Sequence, residues 1–191
     1  IEHIPFLVRT LERVGVSAIV IEDKVGLKKN SLFKNQIGIK QDSIKNFCAK
    51  LKKAKEAKIS DDLFIVARIE SFILKKSLKD AMSRAEAYSR AGADAILIHS
   101  KEKNPNQIFS FSKSFQKSKF YKPLIAVPST YSKTTERQLV DNGFKIVIYA
   151  NHFLRALHPE IVNVEKMILK NQRSYETEKK ISSVSEVINL F

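Results

Sequence analysis

The apolar residues of this chain gather in five short runs: Ser17 to Glu22, Leu63 to Arg68, Ala93 to His99, Leu124 to Pro128 and Lys145 to Ala150. Each is nearly continuous in Val, Ile, Leu and Ala rather than alternating, which describes strands buried on both faces of a parallel sheet. Between the runs the spacing becomes helical. Ile44, Phe47, Cys48 and Leu51 form an i, i+3, i+4, i+7 stripe, with Asp42 or Ser43 as N-cap. Leu78, Ala81, Met82 and Ala85 form the inner face of another helix, opened by Ser77 with Asp80 as an acidic capping box and closed by Gly92. Thr134 or Thr135 opens a further helix, which Gly143 ends just before the fifth run. Leu7 to Val14 reads as a helix already in progress, and Ile161 to Leu169 as a helix after the last strand.

The β-α alternation predicts right-handed crossovers and an α/β fold, as an open sheet or a barrel. Polar groups stand at the ends of the runs: Glu22, Arg68, His99, Ser129 and Asn151. A (β/α)8 barrel collects its active-site groups at the carboxyl ends of its strands. Five units are fewer than eight, so residues 1–170 are expected to be the later part of such a barrel, and residues 171–191 a polar linker with a short C-terminal helix. In that last segment Ser183-Val184-Ser185-Glu186 forms a capping-box start, with Val184, Val187, Ile188 and Phe191 on one face. The chain opens at Ile1, not at a methionine, and the N-terminal part of a larger protein is expected to precede it.

Composition narrows the partners. Hydrophobic content of 43% and charged content of 28% over 191 residues are ordinary for a soluble globular protein. No apolar run approaches the length of a membrane span and no signal-peptide pattern opens the chain, so no membrane partner is expected. The single cysteine, Cys48, precludes an intrachain disulfide and suits a reducing cytoplasm. The net charge of +14 is mostly lysine, spread over helix faces such as Lys50, Lys52, Lys53, Lys55 and Lys58. No aromatic-rich basic groove or zinc motif accompanies it. The expectation is a solvated surface and no nucleic-acid partner, with a field that draws anionic small molecules.

The strand ends carry the candidate chemistry. Glu22 follows Ala18-Ile19-Val20-Ile21, where a lone carboxylate needs a partner. It either binds a divalent cation, directly or through water, or pairs with a strand-end arginine such as Arg68. Arg68 offers a fork suited to phosphate or carboxylate, and Glu70 either orients it or helps bind a metal. His99 is a candidate phosphate donor or acid/base, although a lone histidine is more often structural. His152 supports the site more weakly than His99. Lys28, Asn30 and Ser31 lie on the loop after the first run, where they either grip an oxyanion as the loop closes or form an ordinary solvated turn.

On these residues the chain resembles the phosphoenolpyruvate mutases of the isocitrate lyase/phosphoenolpyruvate mutase superfamily. The resemblance rests on Glu22-Asp23-Lys24 followed by Asn30-Ser31-Leu32, with support from Val66 to Glu70, Ala91 to Ser100, Tyr149 to His152, and Leu154-Arg155-Ala156. It covers nearly the whole chain but only the later two thirds of a typical member. It implies a (β/α)8 barrel with a swapped C-terminal helix, a homo-oligomer (dimer or tetramer) and Mg2+ dependence. The reaction it implies is the interconversion of phosphoenolpyruvate and phosphonopyruvate in phosphonate biosynthesis. Glu22 would join the water-mediated Mg2+ shell, Arg68 and His99 would bind the phosphoryl group, and Lys28, Asn30 and Ser31 would approach it from the loop. Asn30 favours the mutases over the related phosphonopyruvate hydrolases, which tend to carry threonine there. The Lys-Lys-Cys-Gly-His loop of the lyases is absent. Aspartates from earlier strands that complete the metal shell in the family have no counterpart in this chain. A hydrolase, or a catalytically inactive barrel-derived binding or assembly module, therefore stands as the alternative.

Overall fold

Helix α1 (His3–Arg13) leads into strand β1 (Ala18–Glu22), after which the short strands β2 (Lys24–Val25) and β3 (Lys40–Gln41) form a hairpin. Then follow α2 (Ile44–Ala57), β4 (Phe64–Ile69), α3 (Leu78–Arg90), β5 (Ala95–Ile98), α4 (Asn106–Phe115), β6 (Leu124–Ala126), α5 (Glu136–Asp141) and β7 (Phe144–Val147). The structure, a computed structural model, describes residues 1–26, 30–31 and 38–190. Each of the five apolar runs overlaps one strand of a parallel sheet in the order β1-β4-β5-β6-β7, with β4 running on to Ile69 and β7 starting at Phe144 and ending already at Val147. Every pair of neighbours is joined through a helix, as short loops cannot connect parallel strands.

The sheet is apolar because helices cover it. Ile65, Ala67, Ile69, Ile96 and Ile98 are buried together with Phe47 and Leu51 of α2, Ala81, Ala85 and Tyr88 of α3, and Ile108, Phe111 and Phe115 of α4. The Phe47 and Tyr88 rings lie 4.5 Å apart between α2 and α3, and Phe111 stacks on Phe115 at 5.6 Å. Each such side chain contributes about 1.5–3 kcal/mol by leaving water, so this layer carries most of the driving force.

Local signals set the helix ends. Ser43 caps α2 by accepting the Asn46 N–H at 3.1 Å, while Asp42 turns its carboxylate to the Asn46 amide and to Lys50. Thr135 makes the full capping box with Gln138. At α3 only half of the expected box forms. Ser77 accepts the Asp80 N–H, but the Asp80 carboxylate goes to Ser71 Oγ at 2.7 Å and Arg84 Nε at 3.0 Å, where a cationic donor outbids the N-cap amide. The buried face of α3 also differs from expectation. Leu78 in the first turn is exposed, and Arg84 and Tyr88 join Ala81 and Ala85 inside.

By its contacts the chain divides into two compact units, Ile1–Ile148 and Tyr149–Phe191. In the second, the helix expected over Ile161 to Leu169 is α6 (His152–Asn171), twice as long, with Pro159 inside it and Gln172 ending it in the left-handed region at φ 52°. Residues 173–180 form bends and turns, with Thr177 buried. The capping box of Ser183 and Glu186 opens α7 (Val184–Ile188) as expected, and Phe191 lies outside the described residues.

Gly143 shows how tightly the α5–β7 turn is built. Its φ is +85°, and a Cβ there would meet Gln116 Cδ at 2.6 Å. Gln116 is itself bonded to Ser112 Oγ at 3.0 Å. Gly15, at φ +84°, faces open space. Gly15→Ala should therefore cost only the left-handed penalty of about 1–2 kcal/mol. Gly143→Ala should cost about 1 kcal/mol more, because Gln116 must give up its bonds. Thermal melts of both variants check this, and equal losses would show that Gln116 yields freely.

Candidate active site

Strands β1 and β4 run in register, so Glu22 stands opposite Arg68 at their carboxyl ends. The pairing continues one residue further, where the Asp23 N–H donates to the Arg68 carbonyl at 3.1 Å. Beyond that point the chain turns into the β2–β3 hairpin, with Lys24 opposite Gln41. On the other side of β4, Ile69 pairs with Ile98, which places His99 directly after the neighbouring strand end. Residues distant in sequence thus meet because three parallel strands end at one level.

Glu70 is the centre of what gathers there. It has no exposed surface. Its Oε1 accepts from Arg68 Nε at 2.7 Å, its Oε2 accepts from Ser31 Oγ at 2.5 Å, and the Lys24 ammonium lies 3.2 Å away. The Ser31 hydroxyl in turn accepts from Arg68 Nη2 and Lys24 Nζ, each at 2.9 Å. Burial alone would raise the Glu70 pKa, but the Arg68 charge, the Ser31 hydroxyl and the Lys24 charge outweigh it and hold the carboxyl below its ordinary value. His99 is also buried. Burial, and then the Arg68 charge, lower its pKa to about 4, so its imidazole is neutral at pH 7. Among the described residues its Nδ1 has no hydrogen-bond partner.

Glu22 sits at the margin of this cluster. Its Oε1 lies 2.8 Å from Lys24 Nζ in an ion pair, yet it is buried and has no hydrogen bond directed at it. The pairing of Glu22 with Arg68 weighed from the sequence does not form, since Arg68 takes Glu70 and Glu22 takes Lys24. A cleft of about 380 Å³ runs along β1 and reaches Glu22, Lys24 and Arg68. Among the described residues no group of three or more His, Cys, Asp and Glu side chains is placed to hold a metal ion.

Of the residues singled out by sequence, the structure brings Arg68 and Ser31 together around Glu70 and sets His99 on the adjoining strand. Asn30 is exposed beside Ser31. Lys28 lies outside the described residues, and His152 belongs to the second unit. Sequence reasoning gave no role to Lys24, although it follows Glu22 by two positions and a strand end cannot bury a lysine without carboxylates. It also passed over Asp23, Gln41, Arg84 and Tyr88. The spacing of Asp80, Arg84 and Tyr88 at four-residue steps along α3 was the available signal.

Comparison with known proteins agrees with this architecture. The phosphoenolpyruvate phosphomutase of Tetrahymena pyriformis is 37% identical over 186 residues, covering 96% of this chain and 60% of that protein. A crystal structure of phosphoenolpyruvate phosphomutase from Streptomyces platensis subsp. rosaceus superposes with a TM-score of 0.90 at 35% identity, covering 99% of this chain and 64% of that one. A phosphonopyruvate hydrolase crystallised with oxalate and Mg2+ superposes at 0.86 with 34% identity, over 99% and 63%. The chain thus spans less than two thirds of these relatives. Its sheet supplies five βα units of their (β/α)8 barrel fold. A family model described as phosphoenolpyruvate phosphomutase matches residues 1–169, and the chain belongs to that family.

Proposed function

We propose that this chain is the later part of a phosphoenolpyruvate mutase, an isomerase that moves a phosphoryl group between the enol oxygen of phosphoenolpyruvate and the methylene carbon of phosphonopyruvate. The observation that carries the reading is the cluster of Arg68, Lys24, Ser31 and Glu70 beside a neutral His99, at the ends of parallel strands in a chain of this family. Phosphoryl transfer through a loose, metaphosphate-like transition state asks a protein for fixed donors around three oxygens and for exclusion of water. Glu70 fixes the plane of the Arg68 guanidinium, so its fork meets a phosphoryl oxygen in one orientation. His99, kept neutral, donates a hydrogen bond without adding charge. Asn30 offers an amide donor and Lys28 a further cation from the same loop, while the Ser31 hydroxyl, whose one proton goes to Glu70, would meet the phosphoryl group by exchanging that partner.

Mg2+ is the cofactor of this reading. Glu22 would fit it as one hard oxygen ligand acting through water, since its buried Oε1 is met by Lys24 in an ion pair but by no aligned hydrogen bond among the described residues. When bound, the cation neutralises charge on the substrate's oxyanions. Glu22 would hold the cation through water, with Lys24 balancing the carboxylate.

The hydrolase is the second reading, favoured by the superposition on phosphonopyruvate hydrolase. Asn30 speaks for the mutase, since the resemblance assigns threonine to hydrolases at that position. The exposed apolar residues Phe153, Leu154, Leu157 and Ile161 of α6 support a homo-oligomer, dimer or tetramer, formed by helix exchange. No helix among the described residues is long and apolar enough to cross a membrane. The one cysteine, a free thiol, supports a cytoplasmic location. The reading includes no nucleic-acid or membrane partner.

Incubation of the full-length protein with phosphonopyruvate and Mg2+ should give phosphoenolpyruvate by 31P NMR, and Asn30→Ala should slow the conversion by roughly a hundredfold. Free phosphate and pyruvate would replace the mutase with the hydrolase, and no turnover would leave a binding or assembly module.

His99 predicts a pH dependence. Its folded pKa of about 4 lies below the unfolded value near 6.5, so its contribution is complete above pH 6.5 and is lost as the pH falls toward 4. The loss amounts to about 3 kcal/mol. Urea unfolding across this window should show a slope in the wild type that flattens in His99→Gln. Identical slopes would mean that His99 is not held neutral.

Light scattering should give the mass of a dimer or tetramer, and Leu154→Glu with Leu157→Glu should reduce it. A monomeric wild-type protein would exclude helix exchange.

A further inference from the structure

We infer that Asp23, which no part of the proposed chemistry uses, is the positioning residue that holds the two halves of the site in register. The inference rests on the mutase reading for its catalytic consequence and on geometry alone for its structural one.

Asp23 is fully buried directly after Glu22 and directly before Lys24. Every polar atom it carries is engaged. Its N–H donates to the Arg68 carbonyl at 3.1 Å, and its own carbonyl accepts the Asp42 N–H at 2.8 Å. Its Oδ1 accepts the Glu70 N–H at 2.9 Å. Its Oδ2 accepts from Tyr88 Oη at 2.8 Å, Gln41 Nε2 at 2.8 Å and Arg84 Nη1 at 3.3 Å. One carboxylate therefore ties the end of β1 to the end of β4, to β3 of the hairpin and to the inner face of α3.

The ring closes behind it. Gln41 Nε2 also donates to Ser71 Oγ at 3.1 Å, Ser71 donates to Asp80 at 2.7 Å, and Arg84 Nε donates to the same Asp80 oxygen at 3.0 Å. Arg84 Nη1 further donates to Tyr88 Oη at 2.7 Å and to the Asp42 carbonyl at 2.9 Å. A buried network with nearly all of its members satisfied is rigid, and in this one the Gln41 Oε1 alone is without a partner among the described residues. Its output is the Glu70 backbone. Glu70 sets Arg68 and Lys24 through its side chain, and its amide takes its place from Asp23.

An asparagine at position 23 cannot serve both sides. With its oxygen toward Glu70, its amide faces the Arg84 guanidinium, which cannot accept, and meets the Tyr88 hydroxyl and the Gln41 amide only if they turn and give up their present bonds; reversed, it faces the Glu70 N–H with another donor. In the full-length protein Asp23→Asn should lower kcat by about a hundredfold while changing KM by less than about threefold, since Arg68 remains present but misplaced. In an Arg68→Lys background the same substitution should cost under roughly threefold, the non-additivity of a residue acting through another. Independently of activity, amide exchange at Glu70 should quicken at least about tenfold while Val66 and Ala67 in mid-strand keep their rates.

A Glu70 amide unchanged in Asp23→Asn, exchange that rises equally along all of β4, or a full-sized penalty in the Arg68→Lys background would overturn the proposal. If Asp23→Asn does not fold, Gln41→Ala and Tyr88→Phe each remove a single donor and should raise Glu70 exchange by roughly threefold; no change in either would overturn it equally. A wild-type protein that converts no phosphonopyruvate refutes the mutase reading alone, and the exchange measurement then decides the role of Asp23.

Discussion

A carboxylate with no exposed surface must be surrounded by donors or it will not stay charged, and Glu70 imposes that condition on the end of the sheet. Leaving it unpaired would cost several kcal/mol. Arg68, Lys24 and Ser31 meet the condition, and they come from the end of β4, from β2 of the hairpin and from the loop that follows β2. The requirement therefore does more than stabilise one residue. It draws together groups that local structure would leave apart, and it fixes the guanidinium and the ammonium in orientations that an anion can use.

The sheet makes this possible by ending its strands together. Glu22 opposite Arg68, and Ile69 opposite Ile98, are consequences of parallel register. Register follows in turn from the apolar interiors of the strands, since a slip of one residue would drive Ile65, Ala67 and Ile69 out of the layer they share with α2 and α3. The chemistry at the strand ends depends on packing a few residues earlier in each strand. The helices, which supply little to the chemistry directly, supply that packing.

Much of this was legible in the sequence. Near-continuous apolar runs separated by capped amphipathic segments specify a parallel α/β sheet, and charged residues closing those runs mark the strand ends. Ser43, Thr135 and Ser183 appear as the caps because a side-chain oxygen bonded to the N3 amide is a local device. Long-range competition was not legible. Asp80 leaves its capping box for Arg84 and Ser71; the Arg84 spacing could be read along the helix, but the approach of Ser71 follows only from the packing of α3 against the turn after β4. Lys24 and Arg68 divide two carboxylates between them in a way that spacing could not decide. The helix expected over Ile161 to Leu169 begins earlier, at His152, and runs through Pro159, which its spacing does not announce.

The polar residues of this region form two layers with different work, and Glu70 is their boundary. Behind it, Asp23, Arg84, Tyr88 and Gln41 are bonded to one another in a closed set. In front of it, Lys24 and Arg68 share Ser31 and two carboxylates, and the neutral His99 adds no charge of its own. That front layer pairs two cations with two anions, so it is nearly neutral, and a phosphorylated substrate would shift its balance far more than that of the layer behind. On the proposed reading a rigid rear layer would let the front layer exchange partners without collapsing, because Asp23 holds the Glu70 backbone through its amide. The same residue thus joins the two layers, with its carboxylate bonded in the front one and its amide in the rear one.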